Sequence, residues 1–112
     1  MIIKKSESKK HVNSPNCIAH EYDTGKKEVN ISFIEIKGRY PDKGRVVNKV
    51  CKEIIFVVSG KGKIEVDNKK FLVNKEDLVF INSNQKYFLD GKMKIVVCCQ
   101  PSWYPRQHVE CD

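Results

Sequence analysis

The stretch Glu53-Ile-Ile-Phe-Val-Val-Ser-Gly60, continued by Lys61-Gly62-Lys63-Ile64-Glu65-Val66-Asp67, constrains this chain more than any other. A lone carboxylate opens a β-branched run, a Gly-x-Gly step interrupts it, and an alternating apolar and polar strand follows. β-Branched side chains lose rotamer freedom in helices and pack well on a pleated surface. The stretch therefore reads as a hairpin, with strands over Ile54–Val58 and Lys63–Val66 joined at the glycines.

The same grammar recurs on both sides. Ile18–Tyr22 and Val29–Ile36 precede it, and the weaker Val46–Cys51 follows a loop of glycine, proline and aspartate at 38–44. Beyond it, Asp67-Asn68 is a tight turn into Phe71–Val73, then come Asp77–Ile81, Tyr87–Leu89 and Met93–Cys99. No segment beyond about eight residues keeps a helical period, whereas short strands with turn punctuation indicate an all-β sandwich or barrel. One domain is expected at 112 residues: a loose basic arm over 1–16, a barrel over 17–100, and a tail over 101–112. Pro101 and Pro105 bracket Trp103-Tyr104 in that tail, which is expected to pack on the barrel or at an interface.

Charge and cysteines exclude several classes. The net charge is +7, but only Arg39, Arg45 and Arg106 are arginines, leaving 18 scattered lysines. Base readout and phosphate clamping favour the planar arginine fork, so no specific nucleic-acid binding is expected. No apolar run approaches the roughly 20 residues of a membrane-spanning helix. The lysines that follow Met1-Ile2-Ile3 lead into no apolar core of a signal peptide, so a cytoplasmic protein is expected. Cys17, Cys51, Cys98, Cys99 and Cys111 have no zinc-module spacing and read as reduced structural thiols.

Glu53, six residues, Gly60, then Gly62-Lys-Ile-Glu-Val and Glu76-Asp77-Leu-Val-Phe-Ile81 resemble the two-motif core of a small cupin. The resemblance spans residues 29–99 and implies a double-stranded β-helix, or jelly-roll barrel, that forms a homodimer and holds a pocket inside. It also implies a divalent metal held by histidines and a glutamate. The histidine positions, however, hold Val47 and Lys49 or, in the other register, Val46 and Asn48, and the second motif places Tyr87 where its histidine belongs. Valine donates no lone pair, lysine is protonated, and tyrosine is a poor ligand near neutral pH. No family-type metal and no other cofactor is therefore expected.

The candidate pocket then consists of Glu53, Lys49, Tyr87, Asn48 and Arg45. An unbroken strand would place Lys49 on the face of Glu53 as its charge partner, with Tyr87 as a hydrogen-bond donor. Arg39, Tyr40, Arg45 and Asn48, in or after the glycine-rich loop, would rim the pocket. His11, His20 and His108 lie outside the motifs, and nothing in the sequence brings them together. The leading expectation is a barrel binding a small polar or anionic molecule. A metal-independent sugar or sugar-nucleotide isomerase or epimerase comes second, because the motif region offers no histidine as base. A structural or interaction module with a closed pocket comes third.

Overall fold

A computed structural model describes all 112 residues. Nine strands form the molecule: β1 (Lys9–Ser14), β2 (Cys17–Tyr22), β3 (Asn30–Ile36), β4 (Arg45–Asn48), β5 (Lys52–Val66), β6 (Lys69–Val73), β7 (Leu78–Ile81), β8 (Lys86–Gln100) and β9 (His108–Cys111). Only two single 3-10 turns, Lys5–Glu7 and Pro105–Gln107, interrupt this all-β chain.

The architecture rests on β5 and β8, each 15 residues long. They pair antiparallel from Lys52↔Gln100 to Val66↔Tyr87. One half of the pair carries β7 on one side and β3, β2 and β1 on the other. The other half carries β6 on one side and β4, then β9, on the other. The two halves curl over a shared core that includes Val46, Ile55, Val57, Ile64 and Ile95, each at most 1 % exposed. This is the jelly-roll barrel.

The Gly60–Gly62 step is not a hairpin turn, because β5 runs straight through it. Both glycines sit where β5 meets β8 too closely for a side chain. A Cβ on Gly60 would collide with the Lys92 carbonyl oxygen, and one on Gly62 would lie 2.5 Å from that of Asp90. Gly91 lies opposite Gly62 inside continuous β8, not at a strand end. The true hairpin is Asp67-Asn68, where positive φ angles of 47° and 69° close β5 onto β6.

The amino-terminal segment is paired rather than loose, and the tail is joined to the barrel. Residues 9–14 form edge strand β1, paired with β2 through Lys9↔Glu21 to Val12↔Ile18, so backbone bonding orders a segment whose side chains are mostly exposed. The tail is stitched down by Ser102, whose backbone N–H and hydroxyl donate to the carbonyls of Lys27 and Lys26, and it then pairs as β9 with β4.

Candidate functional site

Pleat alternation along β5 turns Glu53, Ile55 and Val57 into the barrel. Glu53 is 6 % exposed, and a carboxylate so placed must find donors. Three side chains supply them. Asn48, at the end of β4, donates its Nδ2 to Glu53 Oε1, and the Tyr87 hydroxyl donates to the same oxygen at 2.7 Å. The Cys99 thiol lies 3.4 Å from Oε2. Burial pushes the Glu53 carboxyl above its ordinary value, and the bonds from Tyr87, Cys99 and Asn48 pull it partly back. Burial, with the Glu53 charge beside it, likewise raises the Tyr87 hydroxyl and the Cys99 thiol.

A second cluster meets the first at Asn48. Asn48 Oδ1 lies 2.7 Å from His108 Nδ1 on β9 and accepts from Gln107 Nε2 at 3.0 Å. His108 Nε2 lies 3.0 Å from the Tyr40 hydroxyl, and the two rings are stacked, 6° apart in plane. The Trp103 ring packs against the imidazole with centroids 5.5 Å apart. Burial lowers His108 to about 4 and raises the Tyr40 hydroxyl well above its ordinary value, so near neutral pH both are uncharged.

These groups border a narrow cavity of about 70 Å³. Its buried walls include Glu53, Tyr87, Cys99 and the apolar Ile55, Ile95 and Val97. Tyr40, Trp103 and His108 form a half-buried aromatic side, with polar Asn30 and Ser32 also bordering it. At roughly 10–15 Å³ per buried water, the volume holds a few waters or one end of a larger molecule. No lysine or arginine lines it.

Of the five candidate residues, the structure brings Glu53, Tyr87 and Asn48 together. Asn48 lies behind the wall, joining its parts, rather than lining the cavity. Lys49 is a correction. β4 ends at Asn48, a bend at Lys49–Val50 breaks the pleat, and the lysine side chain is exposed instead of facing Glu53. Asn48 takes the place expected for it. Arg45 is a second correction, since its guanidinium donates to the Asp112 carbonyl at 2.8 Å and to Asn68 Oδ1 at 3.0 Å, away from the cavity. Arg39 is committed to the Pro41 and Gly44 carbonyls of its own loop and stacks 4.1 Å over Phe88.

His108 is the residue that sequence reasoning missed. The only signal was the alternating His108-Val109-Glu110-Cys111 after Pro105, a strand pattern too short to place at the pocket.

No protein-family model matches this chain, and no curated protein sequence matches it either. Solved structures do. A single-substitution variant of Streptomyces Pac13 with uridine superposes at a TM-score of 0.90 and 15% identity, covering 99% of this chain and 89% of that one. Pac13 is described as a nucleoside dehydratase. Ectoine synthase from P. lautus matches at 0.75 and 15% identity, over 100% of this chain and 91% of its own. KdgF from Halomonas matches at 0.72 and 12% identity, over 90% and 94%. The fold is that of the cupins.

The side chains that the sequence resemblance aligns with cupin ligands make a poor donor set for a divalent ion. Val46 is fully buried and apolar, Asn48 has both amide atoms engaged, and Tyr87 spends its hydroxyl proton on Glu53. No three histidine, cysteine, aspartate or glutamate side chains converge anywhere in the molecule.

Proposed function

We propose that this cupin-fold barrel binds a small, polar, uncharged molecule in the cavity beside Glu53. The observation that carries the reading is the lining itself. It offers hydroxyl, imidazole and carboxyl groups beside an aromatic side, yet no cation, although the chain has 21 basic residues. An anion would enter without a countercharge and approach Glu53 and Glu21. This narrows the expected polar or anionic ligand to a neutral one. A nucleoside has that chemistry, with a flat ring to stack and hydroxyls to hydrogen-bond, and uridine accompanies Pac13 on the same fold.

The second reading is a metal-independent enzyme that moves a proton, such as a sugar isomerase or epimerase. The motif region offers no histidine as its base, but β9 brings the uncharged His108 imidazole to the cavity. Its Nε2 would take a proton from carbon α to a carbonyl, the Tyr87 hydroxyl would return one to the enolate, and the imidazolium would then give its proton back to the Tyr87 oxygen through solvent.

One experiment addresses both readings. Neutral nucleosides and sugars, uridine first, and their phosphorylated forms are titrated while the Trp103 indole and His108 signals are followed by NMR. Neutral compounds should shift those signals and phosphorylated ones should not; the reverse order would sink the first reading. For a carbonyl-bearing binder, deuterium uptake from D₂O that vanishes in His108→Gln supports the second, and its absence counts against it.

We further propose a homodimer in the cytoplasm. Five unpaired cysteines suit a reducing compartment, and a disulfide found in protein isolated from its own cell would contradict that placement. The apolar outer face of the sheet half that holds Glu53 supports the dimer.

A further inference from the structure

We infer that the bend after β4 dictates which nitrogen of His108 carries the proton, acting through Gln107 and Asn48 as positioning residues. Two backbone donors with fixed polarity set the pattern. The N–H groups of Val50 and Cys51 point at Gln107 Oε1, at 3.2 and 3.1 Å. An N–H requires an acceptor, so that end of the Gln107 amide is its oxygen, and the other end is the NH₂. Gln107 is 3 % exposed, which leaves no water to rescue a flipped amide.

The polarity then propagates. Gln107 Nε2 donates to Asn48, so the Asn48 atom facing it is Oδ1. Asn48 Nδ2 is consequently turned to Glu53 Oε1, an acceptor, which fits the same orientation. Asn48 is 1 % exposed and is held from both sides. His108 Nδ1 faces an oxygen that can only accept, so Nδ1 carries the hydrogen. A neutral imidazole has one N–H, and Nε2 is left with its lone pair, accepting the Tyr40 hydroxyl proton.

Both neighbouring 3-10 and bend segments serve this relay. The Pro105–Gln107 turn delivers Gln107 one residue before His108, and the Lys49 N–H fastens the bend to the Gln107 carbonyl at 2.8 Å. The bend that removes Lys49 from the pocket is thus the one that presents the two orienting N–H groups. The proton-accepting atom of the imidazole is Nε2, and a ligand hydroxyl or C–H reaches it by replacing Tyr40. That last step rests on the function proposed above; the tautomer does not.

The test reads the tautomer directly in the full-length, ligand-free protein. Long-range ¹H–¹⁵N correlation at pH 7 should show a protonated, pyrrole-type Nδ1 and an unprotonated, pyridine-type Nε2 for His108. An Nε2–H form in the parent protein would overturn the inference without any variant. Asn48→Leu removes the accepting oxygen and should abolish the Nδ1–H pattern. Asn48→Asp keeps an acceptor and should retain it. An unchanged pattern in a folded Asn48→Leu protein, judged by amide dispersion, would overturn the role of Asn48. Because no ligand is present, a failed ligand titration and a failed tautomer assignment remain separate results.

Discussion

Glu53 and His108 are tied to one amide, yet burial shifts their proton affinities in directions that have opposite consequences for stability. The folded chain holds the Glu53 proton above its ordinary 4.5, so above that pH the native state binds more protons than the unfolded one. Stability from this residue therefore falls as pH rises from 4.5 toward the folded value. His108 drops from 6.5 to about 4, so the unfolded chain binds more protons between those values. Its contribution is complete above 6.5 and is lost as pH falls through that window, at most about 3.5 kcal/mol at ~1.4 kcal/mol per pH unit. Glu53→Gln keeps an acceptor for Asn48 and Tyr87 and removes one titration. Its melting temperature relative to the parent should rise as pH climbs above 4.5. For His108→Gln the deficit relative to the parent should shrink as pH falls from 6.5 to 4. Melting curves at four pH values check both, and differences that stay constant with pH would refute the assignment.

Residue-scale legibility follows covalent regularity. Glu53 and Tyr87 are readable because strand pleat and motif spacing act over short distances. Lys49 misleads because a bend, which no spacing rule announces, breaks the pleat after Asn48. His108 is invisible in the sequence because 60 residues separate it from Asn48, and only the pairing of β4 with β9 brings them together.

At the scale of elements, the instructive case is the glycine pair in β5. Glycine serves equally for a turn and for close backbone approach, so Gly60-Lys61-Gly62 carries no local mark of which it is. The pairing partner decides, and here it is β8 across the entire strand. The two demands on glycine can be separated experimentally. Gly25 has φ +71° with no atom within 4 Å of where a Cβ would stand, whereas Gly60 has φ +82° and the Lys92 carbonyl oxygen in that space. Gly25→Ala should cost only the left-handed backbone penalty, about 1–2 kcal/mol. Gly60→Ala adds a clash that neither long strand can relieve without losing ladder bonds, and its loss should exceed that of Gly25→Ala by about 1–3 kcal/mol, as for overpacking. Urea unfolding of the two variants gives the comparison, and equal losses would mean that the crossing of β5 and β8 tolerates a side chain.

At the scale of the molecule, the sheet half that holds Glu53 on its inner face has an outer face that is also apolar. Strand register aligns two rows across it. Tyr22, Ile31, Cys98, Ile54 and Phe80 form one, and His20, Phe33, Val96, Phe56 and Leu78 the other. Ile31, Ile54, Phe56, Leu78 and Phe80 are each 37–58 % exposed. Five strands at ~4.8 Å spacing make a patch roughly 20 Å wide, and monomeric proteins seldom leave so continuous an apolar surface in water. Two copies related by a two-fold axis would lay row against row, the same patch serving both partners. Within the five strands neither row holds a lysine, and the first one met is Lys10 on β1, paired with His20 at the patch edge, so most of the charge of this +7 chain lies outside the contact. Phe56 stands near the patch centre on β5, its side chain directed away from the cavity, so Phe56→Glu should disrupt association without touching the pocket lining. Light scattering after size exclusion should give twice the chain mass for the parent and the single-chain mass for the variant. A parent that stays monomeric at high micromolar concentration would refute the dimer, and the outer rows would then need another partner to cover them.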